Sequence, residues 1–166
     1  MTHAKRHAVH RTHGYTLIEL VCVIVLLSIL AAMALPKYIE LGTDARLASV
    51  RGLAGAVRTA ASNAYAMCLV KDSQCGYLVL GTVSVTAPNG VQGKLFNGYP
   101  SALLTAGFSH ISHWVTYTGF TMDTSVASVV VFSLPTAPVP ADCSVTYSAV
   151  GIYGNVPVIT TATSGC

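Results

Sequence analysis

The sequence predicts an α+β protein: a long N-terminal α-helix, half membrane anchor and half amphipathic spine, packed on an antiparallel β-sheet head. Three observations carry this prediction. Residues 15–35 form a 21-residue apolar stretch whose one ionisable carboxylate is Glu19. Between Leu47 and Cys68 apolar residues recur on one helical stripe. After Cys75 the chain alternates in polarity and is punctuated by Gly, Pro and Asn, the punctuation of strands and turns.

The apolar stretch has the length of a membrane-spanning helix. Twelve of its residues are Leu, Ile or Val, together worth on the order of −5 kcal/mol of insertion free energy. A mid-membrane acid costs about 3 kcal/mol, so insertion wins, and Glu19 lies near one end, where the cost is lower. Residues 1–14 form a basic leader with Lys5, Arg6, Arg11 and four of the six histidines. Basic residues before a span place the leader in the cytoplasm and the C-terminal part outside. A secretory signal would show small residues at a cut after the apolar run; Pro36-Lys37-Tyr38 follows instead, so the span is expected to be retained. From residue 15 onward six Lys and Arg oppose six Asp and Glu, so the formal charge of +3 resides in the leader. That removes any argument for nucleic-acid binding from overall charge.

Helix-compatible residues resume after Pro36, which removes one donor and crowds the preceding turn, so a kink or local melt is expected there. Gly42 is a second weak point. Residues 36–68 then form a kinked amphipathic helix, with Leu47, Val50, Leu53, Ala54, Val57, Ala61, Ala64 and Cys68 on its apolar stripe. Asp44, Arg51 and Arg58 recur on another face, turned to solvent or to neighbouring subunits. From residue 15 to about residue 67 the helix would be roughly 80 Å long.

Residues 69–166 form the β head. Residues 78–86 alternate, Pro88-Asn89-Gly90 turns, residues 91–96 return, and Asn97-Gly98-Tyr99-Pro100 turns again. Residues 101–108 suit a short helix capped by Ser101. Strands are expected at 114–120, 126–133 and 143–150, with an edge segment at 156–161. Pro135, Pro138 and Pro140 break the chain before the third of these strands.

Five cysteines fit an exported chain. Cys22, in the span, reads as inert packing. Cys68, Cys75, Cys143 and Cys166 allow three pairings; the sequence-local choice is Cys68–Cys75 with Cys143–Cys166. The second pair closes a loop worth about 3 kcal/mol in the chain-entropy model. Zinc is disfavoured because paired Cys-x-x-Cys spacing is missing.

His110 and His113, three apart, are the one constellation that invites a metal. No other histidine follows residue 14 and the acids are scattered, so the segment reads as a surface turn leading into a strand, with no metal and no cofactor. The sequence carries no phosphate loop, His-Glu-x-x-His or nucleophile elbow, so no catalytic residue is assigned and no enzyme expected. Arg46, Arg51 and Arg58 at helical spacing form a solvated or inter-subunit face rather than a DNA site.

Gly14-Tyr-Thr-Leu-Ile-Glu-Leu, behind a basic leader and ahead of an apolar run ending in Pro36, resembles the processing motif of type IV prepilins. The resemblance implies a pilin fold, cutting after Gly14 by a membrane peptidase, and methylation of the amine freed at Tyr15. It also implies that Glu19 pairs with that amine on a neighbouring subunit, and that the segment from Pro36 to Gly42 can unwind within a filament. The implied partners are further copies of the chain, the peptidase and assembly machinery, and the inner membrane; the implied destination is an extracellular pilus. Tyr15 departs from the Phe usual at that position in the family. Asn97-Gly98-Tyr99-Pro100-Ser101-Ala102, Asp142-Cys143-Ser144-Val145-Thr146-Tyr147 and Ser164-Gly165-Cys166 look like the pilins of mannose-sensitive haemagglutinin pili. A minor pilin or a type II secretion pseudopilin would share the N-terminal logic, and an anchored binding domain that never polymerises is the reading from another class.

Overall fold

The structure, a computed structural model, describes residues 14–71, 83–149 and 156–166. Expectations that fall on residues 1–13, on Cys75 and on the strand start near Leu78 lie outside the described residues. The architecture is α+β: one helix, α1 (Leu17–Lys71), followed by short antiparallel strands. The chain divides between Leu41 and Gly42 into two compact units.

In the first unit α1 is apolar on every side. Leu17–Ala34 has mean hydropathy 2.8 and none of it is buried. Long, apolar and uncovered, it is able to cross a membrane by length and composition. The helical backbone then runs unbroken through Pro36 and Gly42, where the sequence predicts a kink or local melt; no melt is present. Pro36 costs a single main-chain bond, and helix-compatible residues on both sides keep the remaining bonds. Lys37 and Glu40 pair at 3.8 Å one turn apart on this stretch, too exposed to add much.

In the second unit α1 buries Val50, Leu53, Ala54, Val57, Ala60, Ala61, Ala64 and Cys68. This is the expected stripe, with Ala60 added and Leu47 half-buried. Four of the buried residues on that face are alanines, and all eight belong to one core cluster with the buried residues of the head. Asp44, Arg51 and Arg58 are exposed.

The head has two sheets. A hairpin pairs β1 (Ser84–Thr86) with β2 (Gln92–Lys94) around Pro88-Asn89-Gly90. The larger sheet runs β3 (Thr121–Asp123), β4 (Val129–Ser133), β5 (Ser144–Ser148) and β6 (Val158–Ala162), all antiparallel and in sequence order. Its register places Phe132 opposite Val145 and Val130 opposite Tyr147. These four side chains are wholly buried against the helix stripe. Tyr147 also donates its hydroxyl to the Pro100 carbonyl at 2.7 Å. That bond gives a fully buried phenol the partner it needs, and burial pushes its pKa well up.

Two expected elements do not form. Residues 101–108 are a loop, not a helix: Ser101 Oγ accepts from the Leu103 amide, and Gly107 takes φ +85°. Main-chain bonds capture both ends, Ser101 N to Ser109 O and Lys94 N to Gly107 O. Eight residues cannot repay helix nucleation when the ends have better partners. Residues 114–120 are not a strand either. A 3-10 turn, Ile111–His113, precedes them, and Phe120 N bonds back to Tyr117 O around Gly119 at φ +88°. Trp114 instead donates its indole N–H to Ser109 Oγ at 2.8 Å in the core. The strand expected from residue 126 begins at Val129, because Asp123 accepts from the Ser125 amide and hydroxyl and Ser128 sits at φ +63°. Those side-chain bonds offer the backbone a turn in place of a ladder.

Cys143 and Cys166 form a disulfide, with Cα atoms 4.9 Å apart. Cys68 is also disulfide-bonded; its expected partner, Cys75, lies outside the described residues. Cys22 is a free, exposed thiol.

Candidate functional site

The start of α1 gathers the residues singled out by sequence. Gly14 lies outside regular secondary structure, with nothing within 4 Å of the place where a side chain would project. Tyr15 is exposed and lies two residues before the first helical position. Thr16 caps the helix: its hydroxyl accepts the Glu19 amide at 3.3 Å and its carbonyl accepts the Leu20 amide at 3.2 Å. One of the four orphan amides of a helix start, that of Glu19, is thus satisfied by a side chain, and the Leu20 bond is the first rung of the helix ladder. The Thr-x-x-Glu pattern that signals such a cap was present in the sequence, and is the one element of this site that the sequence reading omitted.

Glu19 stands on the first turn of α1, where a carboxylate is favoured by the helix dipole. Among the described residues no cation lies within ion-pair range of it. Around and beyond it Leu17, Ile18, Leu20 and Met33 are all more than half exposed. Bare apolar surface on this scale needs lipid or other apolar helices to cover it, and the same cover would desolvate Glu19. At the start of α1, apolar cover of any kind would therefore bury a charge that needs a counter-ion.

Gly42 is half-buried in the second unit. The Pro36 ring lies outside the described side chains.

The histidine pair is not a surface turn. His110 is 1% exposed and both its ring nitrogens are engaged. Nδ1 accepts the Ser112 amide at 3.2 Å and faces Ser112 Oγ at 2.8 Å, while Nε2 faces the Ala102 carbonyl at 3.2 Å. A carbonyl only accepts, so the proton is on Nε2 and no lone pair is left for a metal. The His113 ring lies edge-on at 6.2 Å, with its Nδ1 buried and unpartnered. Among the described residues no three His, Cys, Asp or Glu come together.

Burial pushes the His110 pKa below its ordinary value, against a smaller upward effect of the Ala102 carbonyl. The unfolded chain then takes up this proton more readily than the folded one. The stabilisation is present above about pH 6.5 and is lost as pH falls through the depressed folded value. Thermal melts of the protein in detergent are expected to show Tm falling between about pH 7 and 5, with a flatter profile for His110→Gln. An equal slope in both would show that His110 is not the titrating group.

Residues 9–35 match the family described as "Prokaryotic N-terminal methylation motif". Over 50 residues the chain is 48% identical to the type IV narrow pilus major component PilA5 of Thermus thermophilus. That stretch is 30% of this chain and 43% of the relative, so the chain spans less than half of the protein it matches. No solved structure is significantly similar to the chain.

Proposed function

We propose that this protein is a structural subunit of a type IV pilus. The observation that carries the reading is an uncovered apolar helix, in the same chain as a folded head, whose first turn holds Glu19 and lies inside a methylation motif. The precursor is held in the bacterial inner membrane by the span in residues 15–35, cut after Gly14 and methylated at Tyr15. The Glu19 carboxylate of one subunit then meets the terminal amine of the next. Helices bury their apolar sides on one another in the filament core while the β heads coat the outside. The work is mechanical rather than catalytic, and Pro36 and Gly42 mark where the helix yields under tension. The matched relative, a major pilus component, supports polymerisation over a solitary anchored domain. The Cys143–Cys166 pair, together with the disulfide at Cys68, supports a head that folds outside the reducing cytoplasm. The motifs around Asn97 and Asp142 extend the reading to an adhesive pilus of the mannose-sensitive haemagglutinin type.

The test is to shear fibres from cells making this protein and identify their dominant subunit by mass spectrometry. The expected result is this chain, beginning at a methylated Tyr15. Fibres built mainly from another subunit would make this a minor component. Sheared fractions without the chain, with the protein still in the membrane, would end the reading.

A further inference from the structure

Three cations on α1 donate to main-chain oxygens of the head. Arg46 Nη1 reaches Cys166 O at 2.7 Å, Arg58 Nη2 reaches Ile159 O at 3.5 Å, and Lys71 Nζ reaches Ser84 O at 2.8 Å. The first is the shortest, and of the three it alone is partly buried.

Arg46 lies one turn beyond Gly42. Long helical side chains run back over the preceding turn, and this guanidinium does so: Nη2 lies 3.8 Å from the point where a Gly42 Cβ would project. The guanidinium thus lies over the Gly42 turn, at ordinary contact distance from where a side chain there would begin. Little else holds this part of the helix. Ala45, Ala48 and Ser49 are exposed, Leu47 is half-buried, and the first fully buried residue is Val50.

The acceptor is fixed from the other side. Cys166 is bonded to Cys143, next to the start of β5. The adjoining Gly165 exchanges main-chain bonds with Val139 and Asp142. It packs so closely on the Val139 carbonyl that a Cβ there would lie 2.5 Å from it.

We propose that Arg46 is a positioning residue that couples residues 42–50 of the helix to the Cys143–Cys166 disulfide, so that the start of the head's helix senses the redox state of a bond 120 residues away. A dithiol supplies two electrons and two protons, the Sγ–Sγ bond becomes two thiols, and the reductant closes to its own disulfide. Cys166 then loses its covalent tether and keeps the main-chain bonds of Gly165, and the guanidinium exchanges the Cys166 oxygen for water. Coupling of this kind is reciprocal: opening of residues 42–50 must ease reduction of the disulfide by the same factor by which reduction eases that opening, and loss of Arg46 removes the link in both directions.

Hydrogen exchange of the full chain in detergent micelles tests both directions. Arg46→Gln is expected to raise exchange about tenfold in residues 42–50 and in residues 158–166 together, the scale of one bond to a charged donor. A Cys143→Ala/Cys166→Ala variant should raise exchange in the same two segments. Reduction of the Cys143–Cys166 bond by dithiothreitol should be faster in Arg46→Gln than in the unaltered protein. Lys71→Gln, which loses a carbonyl bond at the far end of the helix, should change neither readout, which separates coupling from general loosening. The proposal is overturned if Arg46→Gln leaves residues 158–166 and the reduction rate unchanged, or if cysteine removal leaves residues 42–50 unchanged. No filament is needed, so the result stands apart from the proposed function.

Discussion

A Glu19→Ala protein is expected to be cut and retained in the membrane, yet to yield no filaments. The span keeps its length and loses a charge, so insertion becomes easier: the acid costs up to about 3 kcal/mol at mid-membrane and alanine almost nothing. What disappears is the reason for a second copy to bind in one register. In the monomer no described cation answers Glu19, and an apolar helix can slide along another at little cost because its contacts are non-directional. A carboxylate and an amine in a low-dielectric core allow one stagger, because every other stagger leaves both charges unpaired. Glu19→Gln keeps the shape and loses the charge, so it should fail in the same way. Immunoblots of membrane and sheared fractions, with electron microscopy of the latter, provide the readout. Filaments of normal number and length in either variant would refute pairing at Glu19.

Gly93→Ala should cost the head about 3 kcal/mol or more of stability, far beyond the usual effect of adding one methyl on a strand. Gly93 is the central residue of β2 and is buried. A Cβ built there meets Ser109 N at 2.5 Å and the Phe108 carbonyl carbon at 2.7 Å. Both are main-chain atoms, so no side chain can swing aside. The crossing segment is held against β2 by Lys94 N to Gly107 O and Ser109 N to Lys94 O, and moving it would pull on a chain of buried partners. Ser109 Oγ accepts from Trp114, and the next residue is the buried His110. Thermal or denaturant unfolding of the variant, beside Gly52→Ala on the open side of the helix where nothing stands within 4 Å, gives the comparison. Equal stability of the two variants would mean that the crossing is looser than its geometry implies.

The helix was legible because its signal is redundant. Eight apolar positions on one stripe outvote any single residue, and seven of them are buried as the period requires, with Leu47 half-covered. Strand β4 was legible because burial alternates along its five residues, β5 because its last four alternate, and β6 through the β-branched run Val158-Ile159-Thr160-Thr161. The stretch from Ser101 to Phe120 was not. Its Trp, Val, Tyr and Phe mimic a strand, but they fill space beside the helix, and the bonds that decide the backbone come from Lys94, Ser109 and Tyr117. His110 misled through its type: an imidazole suggests solvent, yet local partners on both nitrogens make burial tolerable. At the candidate site Glu19 stands out because it is a lone charge in oil-like sequence. Arg46 could not be singled out, since its acceptor is 120 residues away and is a backbone atom with no residue type to betray it.

The order in which the sheet is laid down has a consequence for biogenesis. The helix stripe from Val50 to Cys68 emerges from the ribosome early, whereas β5, β6 and Cys166, which complete its cover, come almost a hundred residues later. At ordinary rates of synthesis that gap is several seconds, during which the alanine-lined face is open to the wrong company. Under the proposed function, a nascent chain threaded into the bilayer at residues 17–34 would spend that interval tethered at the membrane and diluted from its siblings, so that anchoring would double as quarantine.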